Sequence, residues 1–291
     1  MSVSIVLEGP EGVGKTTQST LLASFLEQFV KSPVLRIREP GGTPIGEAIR
    51  NLLFTEEFSD MSPNTHLLLF TAARNELITK KVRPWRSENP NGISVADRSW
   101  WSSIALQQVD GADISYIHNM QNPFKWYPTL TFYLDLPAEE SMIRVETAKR
   151  LGGKRNWRDD VGIEIYCAIR TNYLSLAESQ KNRVCVIDAF KNPWDILYEV
   201  SGQILNIMTE DKGCREAGID RLKEFSLDSI TDFARLLNEK GLYSFNENQQ
   251  LVEEVRRSLG FPSKELLRES MYKDWNDWGF TELQGGRGER I

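Results

Sequence analysis

The 291-residue chain is 40% hydrophobic and 26% charged with a formal net charge of −6, a composition with room for one α/β domain plus an appendage and one that excludes a general polyanion binder, whose affinity rests on surplus Lys and Arg. Cys167, Cys185 and Cys214 form no Cys-x-x-Cys pair, and His66 and His118 are the only histidines, which excludes a disulfide framework and a zinc cluster. No apolar run approaches the roughly 18 residues needed to span a bilayer, and Met1–Leu7 lacks the basic start of a signal peptide, so no membrane association and a cytoplasmic setting are expected.

Val3–Leu7 is a short apolar run that reads as a buried strand and ends at a glycine-rich turn. Thr16–Phe29 follows with Leu21, Leu22, Phe25, Leu26 and Phe29 at helical spacing. Val34–Ile37 is a second strand, Pro40-Gly41-Gly42 breaks the chain, and Ile45–Phe54 resumes a helical pattern. A longer helix is predicted from about Pro63 through Ile78. Ile93–Ala96 is a third strand, closed by Asp97-Arg98, and Leu130–Leu134 a fourth, ending at Asp135. Helices are predicted over Ala138–Arg150 and Ile163–Ser179, separated by a basic, glycine-containing loop; Arg183–Ile187 is the fifth strand and Trp194–Met208 the closing helix. Five short apolar strands alternating with helices predict an α/β three-layer fold on a parallel sheet, with the ligand site at the strands' C-terminal ends. After residue 209 the strand signal stops, so the chain divides into an α/β unit over 1–208 and a helical extension over 209–291, with helical periodicity at Ile230–Leu237, Leu251–Leu259 and Ser263–Met271.

Gly9, Gly14, Lys15 and Thr16 complete the pattern G-x-x-x-x-G-K-[ST] between a strand and a helix, the context that gives this motif its meaning. Glycines let backbone N–H groups converge on phosphate oxygens, and the helix N-terminus adds its positive end. The loop Gly9, Glu11, Gly12, Val13, Gly14, Lys15, Thr16 and Thr17 is therefore expected to bind ATP, with Lys15 on the β and γ phosphates and Thr16 on Mg²⁺. No Asn-Lys-x-Asp base-reading motif of a GTPase occurs. A late basic loop and several Arg near strand ends suit a small kinase that clamps two phosphate-bearing molecules.

Several segments, in order and covering about residues 1–208, jointly resemble thymidylate kinases. They are the phosphate loop, Arg38-Glu39-Pro40-Gly41-Gly42-Thr43, Leu69-Phe70-Thr71-Ala72-Ala73-Arg74, Asp97-Arg98 with Ser102, Ser103, Ala105 and Gln107, and Pro128–Asp135. The resemblance implies transfer of the ATP γ-phosphate to dTMP, with Mg²⁺ held at Thr16 and Asp97. It implies a base stacked on Phe70 and read by Arg74, four residues on along the same helix face. Glu11 would accept from the sugar 3′-hydroxyl, and Arg98 and Arg50 would reach the acceptor phosphate. Ser102, Ser103 and Gln107 complete the substrate set, and a catalytic Arg, either Arg155 or Arg158, comes from the basic loop. The family is commonly dimeric, which implies a homodimer. Leu106 stands where the family has Tyr, and Ser99 where it has an aromatic residue. These departures keep a second acceptor open, another or base-modified deoxypyrimidine monophosphate such as 5-hydroxymethyl-dUMP. The extension, with Tyr272, Trp275, Trp278 and Phe280, keeps open a nucleotide-dependent binding or regulatory protein. Few basic residues accompany that aromatic cluster, which disfavours nucleic acid as a partner.

Overall fold

The computed structural model describes residues 2–29, 33–124, 126–153, 161–210, 232, 233, 235, 237 and 249–280. Five strands, β1 (Val3–Glu8), β2 (Val34–Arg38), β3 (Ile93–Asp97), β4 (Leu130–Asp135) and β5 (Val184–Asp188), form one sheet in the order β2-β3-β1-β4-β5. Every pairing is parallel. β1, β3 and β4 are buried along their whole length, as apolar runs without alternation predict for a sheet covered on both faces. Successive side chains still alternate: Ile5 and Leu7 enter the larger apolar cluster, whereas Val6 joins Ile37, Ala96 and Leu77 on the other face.

The helices are α1 (Lys15–Phe29), α2 (Pro44–Phe54), α3 (Pro63–Leu77), α4 (Arg83–Glu88), α5 (Trp100–Ser102), α6 (Ile114–Gln121), α7 (Ala138–Arg150), α8 (Ile163–Ser179) and α9 (Pro193–Glu210), then α10 (Gln249–Leu259) and α11 (Lys264–Asp277) in the extension. Local chemistry sets several starts. Thr43 caps α2 by accepting from Gly46 N at 3.0 Å, and Ser62 caps α3, each with Pro at the first helical position. The helical run of α3 continues past its expected end at Ile78, through a widened turn at Ile78–Val82 into α4. Pro84 lies one residue inside α4 and supplies no N–H, and a wide turn accommodates that gap in the ladder.

Three findings go beyond the sequence reading. All five strands run one residue further than expected, so Glu8, Arg38, Asp97, Asp135 and Asp188 are the last residues of β1 to β5, with Arg38 opposite Asp97 and Asp135 opposite Asp188. The short helix α6 and the helical turns over 100–107 were not read from the sequence at all. The extension does not stand apart: Leu267, Met271 and Trp275 are buried in the same apolar cluster as Phe132 of β4. The expected helix Ile230–Leu237 and the loop 154–160 fall largely or wholly outside the described residues.

Candidate active site

The phosphate loop leaves β1 and enters α1 at the C-terminal edge of the sheet. Two of its glycines are steric requirements. At Gly9 (φ 145°) a Cβ would sit 2.6 Å from the Leu134 carbonyl oxygen, and at Gly12 (φ 78°) one would sit 2.8 Å from that of Ser141. The loop therefore lies directly on β4 and on the first turn of α7.

Lys15 is buried and donates from Nζ to the Pro10 carbonyl across the loop. Burial, followed by the nearby Arg98 charge, lowers its pKa to about 8, against the opposing pull of Glu11, Asp97 and Glu8. Two pH effects of opposite sign follow. A triphosphate needs the charged ammonium, so kcat/KM for ATP is expected to be level below pH 8 and to fall about tenfold per unit above it, one proton being lost. Stability moves the other way. The folded value lies below the ordinary 10.5, so between about pH 8 and 10.5 the unfolded chain holds a proton that the folded chain has released, and this group's contribution rises with pH. A kcat/KM profile still level at about pH 9.5 would remove Lys15 as the titrating group.

Thr16 Oγ1 donates to Asp97 Oδ2 at 2.5 Å, which brings a hydroxyl and a buried carboxylate together at the start of α1 and the end of β3. Next along the chain Arg98 takes φ 76°, a left-handed conformation that a non-glycine residue holds only when its surroundings fix it. Those surroundings are explicit. Arg98 Nη1 donates to Gly9 O, Ser102 Oγ and Tyr173 OH, each at 3.1 Å, and Nη2 to Glu11 Oε1 at 2.6 Å. Behind it Glu8 is fully buried, accepting from Ser99 N and Ser99 Oγ at 2.7 Å, Ser102 Oγ at 2.8 Å and Tyr173 OH at 3.0 Å. Burial pushes the Glu8 carboxyl above its ordinary range, while Arg98 and the hydroxyls pull it back. Burial alone would lower Arg98, but Glu11, Tyr173, Glu8 and Asp97 outweigh it and hold the guanidinium above its usual value.

From this centre a cleft of about 660 Å³ opens toward α2 and α3. Glu11, Gly12, Lys15, Thr16 and Thr17 line one end; Arg38, Glu39, Arg50, Phe54, Phe70, Leu106 and Gln107 line the other, with Asp97, Arg98 and Ser102 between. Arg50 donates to Pro40 O at 3.0 Å and lies 4.9 Å over the Phe54 ring. Phe70 stands edge-on to both Phe54 and His66. Gln107 is buried, and its Oε1 has no partner among the described residues, an unmet polar atom on the cleft wall.

Most of the expected residues thus converge, with two corrections. Arg74 and Ser103 do not line the cleft; they lie behind its wall. Arg74 Nε donates to Glu39 Oε2 at 2.5 Å, Nη1 to Ser103 Oγ at 2.9 Å and to Gln121 Oε1, and Nη2 to Ser99 O at 2.9 Å. Among the described residues four of the five guanidinium N–H groups have partners. Val13 presents its side chain to the apolar core, so only its backbone faces the loop's interior. Arg155 and Arg158 lie outside the described residues. Sequence reasoning missed Glu8, Arg38, Gln121 and Tyr173. Glu8 carried a signal, a lone carboxylate closing an apolar strand. Gln121 and Tyr173 carried none, since they arrive from α6 and α8, distant in sequence.

Comparisons with known proteins agree with this geometry. The family model described as Thymidylate kinase matches residues 7–199. A thymidylate kinase of Prosthecochloris aestuarii is 34% identical over 224 residues, covering 74% of this chain and 99% of that protein. One from Chlamydia caviae is 35% identical over 216 residues, covering 72% and 99%. The crystal structure of thymidylate kinase from Ehrlichia chaffeensis superposes with a TM-score of 0.56 at 29% identity, covering 70% of this chain and 98% of that one.

Proposed function

The chain belongs to the thymidylate kinase family, and from that premise we propose how its cleft performs ATP-dependent phosphorylation of dTMP to dTDP. One observation carries the assignment: the phosphate loop and the Arg98–Glu11 pair share a single cleft with Arg50 and Phe70. ATP lies on the loop, its β and γ phosphates facing Lys15. The dTMP phosphate meets Arg98 and Arg50, its sugar meets Glu11, and its base stacks on Phe70 near Leu106 and Gln107. Arg74, whose guanidinium is held by Glu39, Ser99, Ser103 and Gln121, positions the wall behind the base. Such transfer needs positioning and charge neutralisation more than a strong base, and no free general base is required beside Asp97. Arg155 and Arg158 remain the proposed source of further positive charge.

The Thr16–Asp97 pair, a hydroxyl and a carboxylate in contact, offers the hard oxygen donors that Mg²⁺ takes. When bound there the ion would neutralise charge on the donor phosphates. We assign residues 1–208 as the catalytic unit, which the family match ending at 199 supports, and 209–291 as an addition to it. A homodimer is the proposed state, supported by the exposed Ile45, Leu52, Phe58 and Leu68 of α2, α3 and the turn between them; light scattering showing a monomer at micromolar concentration would overturn it. No helix among the described residues is long and apolar enough to cross a membrane, and a cytoplasmic location is the proposed one.

A coupled ADP-release assay with dTMP, dUMP, 5-hydroxymethyl-dUMP, dCMP and UMP tests the acceptor. The highest kcat/KM is expected for dTMP. Preferred turnover of another monophosphate would reassign the acceptor, and no turnover by folded protein would sink the kinase reading together with its residue roles.

A further inference from the structure

Three buried carboxylates stand at the ends of β4 and β5 and in the first turn of α7: Asp135, Asp188 and Glu140. The extension supplies partners to all three. Trp275 Nε1 donates to Asp135 Oδ2 at 2.6 Å, and Arg170 of α8 bridges Asp135 to Asp274 of α11. Asp188 Oδ2 accepts from Arg268 at 2.5 Å and from Tyr272 OH at 2.6 Å. Glu140, in the first turn of α7, pairs with Arg256 of α10 at 2.7 Å, each side chain 3% exposed. Buried charges left without such partners are strongly unfavourable, so these contacts are part of the body's own electrostatic design.

The Arg256–Glu140 pair has a direct mechanical neighbour. Ser141 follows Glu140, and its carbonyl oxygen and Cα fill the space at Gly12 that a side chain would need, 2.8 and 3.4 Å from the Cβ position. A line of touching groups therefore runs from α10 through the start of α7 to the phosphate loop. Close-packed contacts of this kind transmit small displacements. The acceptor wall is built instead from α2, α3 and residues 97–107, while the extension's bonds run to β4, β5, α7 and α8.

We propose that residues 249–280 position the donor half of the site: Arg256, acting through Glu140 and α7, sets the phosphate loop, so that docking of the extension and binding of ATP are coupled. The inference rests on the kinase reading of this cleft. Arg256 is a positioning residue, since it touches no reacting atom.

The test uses the full chain. Arg256→Met is expected to raise KM for ATP about tenfold, within the usual range of coupling between two sites, with KM for dTMP changed by less than about twofold on the same coupling scale. Arg256→Lys is expected to restore most of the loss. In the wild-type chain, ADP is expected to slow amide exchange across 249–280 and dTMP to leave it unchanged, because coupling is reciprocal. Equal changes in both KM values, no change in either, or exchange in 249–280 indifferent to ADP would each overturn the proposal. If Arg256→Met does not fold, the wild-type exchange decides alone. Wild-type protein that binds ADP but turns over no monophosphate would instead remove the kinase reading, a result distinct from the exchange response.

Discussion

Replacing Lys15 with methionine is expected to lower kcat for dTMP phosphorylation by about 10²–10³, the usual effect of removing one preorganised charge from developing transition-state charge, while the thermal midpoint moves by no more than about 4 °C, as for a change near 1 kcal/mol in a chain of this size. The split follows from the site. Lys15 is buried, and burial pushes its pKa down to about 8, so the fold holds the ammonium against a desolvation penalty. Its bond to the Pro10 carbonyl is a small loss for the unliganded protein. With a triphosphate on the loop, the same ammonium meets negative charge in a water-poor setting, where its effect is largest. Single-turnover kinetics and a melting curve on the same preparation check both halves. Retained kcat would show that the cleft neutralises the phosphates without Lys15. A collapsed midpoint would show that the residue is structural.

Arg98 is expected to behave differently, with activity and stability failing together. Its guanidinium bonds Gly9 O, Ser102, Tyr173 and Glu11 at once and lies beside the buried Glu8. Arg98→Met removes the cation from two carboxylates, and breaking a buried pair on one side typically destabilises by about 3–5 kcal/mol. The surviving folded fraction is expected to lose about 10³ in kcat/KM for dTMP, the upper range for loss of one charge donor. Arg98→Lys separates charge from geometry. A lysine keeps the charge but lacks the planar fork, so part of the stability returns while KM for dTMP stays about tenfold high, the equivalent of roughly 1.4 kcal/mol. Melting curves and acceptor-varied kinetics decide. An unchanged KM for dTMP in Arg98→Lys would take Arg98 out of the acceptor site, whatever the melting curves show.

Both predictions depend on contacts that differ in how far the amino-acid order reveals them. The phosphate loop is local: strand, glycines and helix lie within residues 3–29, although the groups that crowd Gly9 and Gly12, Leu134 and Ser141, come from far along the chain. The parallel sheet was legible for a related reason. β1, β3 and β4 are buried on both faces, so each appears as a mainly apolar run interrupted by one small hydroxyl residue, Ser4, Ser94 or Thr131. Strand ends were less legible, because Arg38, Asp97, Asp135 and Asp188 look like loop residues until their partners across the sheet are known. Their polarity belongs to the functional edge of the sheet, where composition stops reporting burial.

Arg74 shows the limit most clearly. Its spacing from Phe70 places both on one helix face, and that much the sequence determined. Whether the guanidinium faces a ligand or the protein depends on Glu39, Ser99, Ser103 and Gln121, which come from three other segments. The same holds for Glu8, whose buried carboxyl is made tolerable by Tyr173 from α8 and by Ser99 and Ser102. The extension is the largest case. Its helical periodicity was visible, and its aromatic residues marked an apolar face, but amphipathicity does not name what a face packs on. By itself the sequence determined that a nucleoside triphosphate loop sits on a parallel sheet with a family's residues in order. Only the tertiary structure decided that Asp135, Asp188 and Glu140 take partners from residues 249–280, because hydrogen bonds and ion pairs between distant segments depend on where the chain brings those groups, and no local pattern in the sequence encodes that meeting.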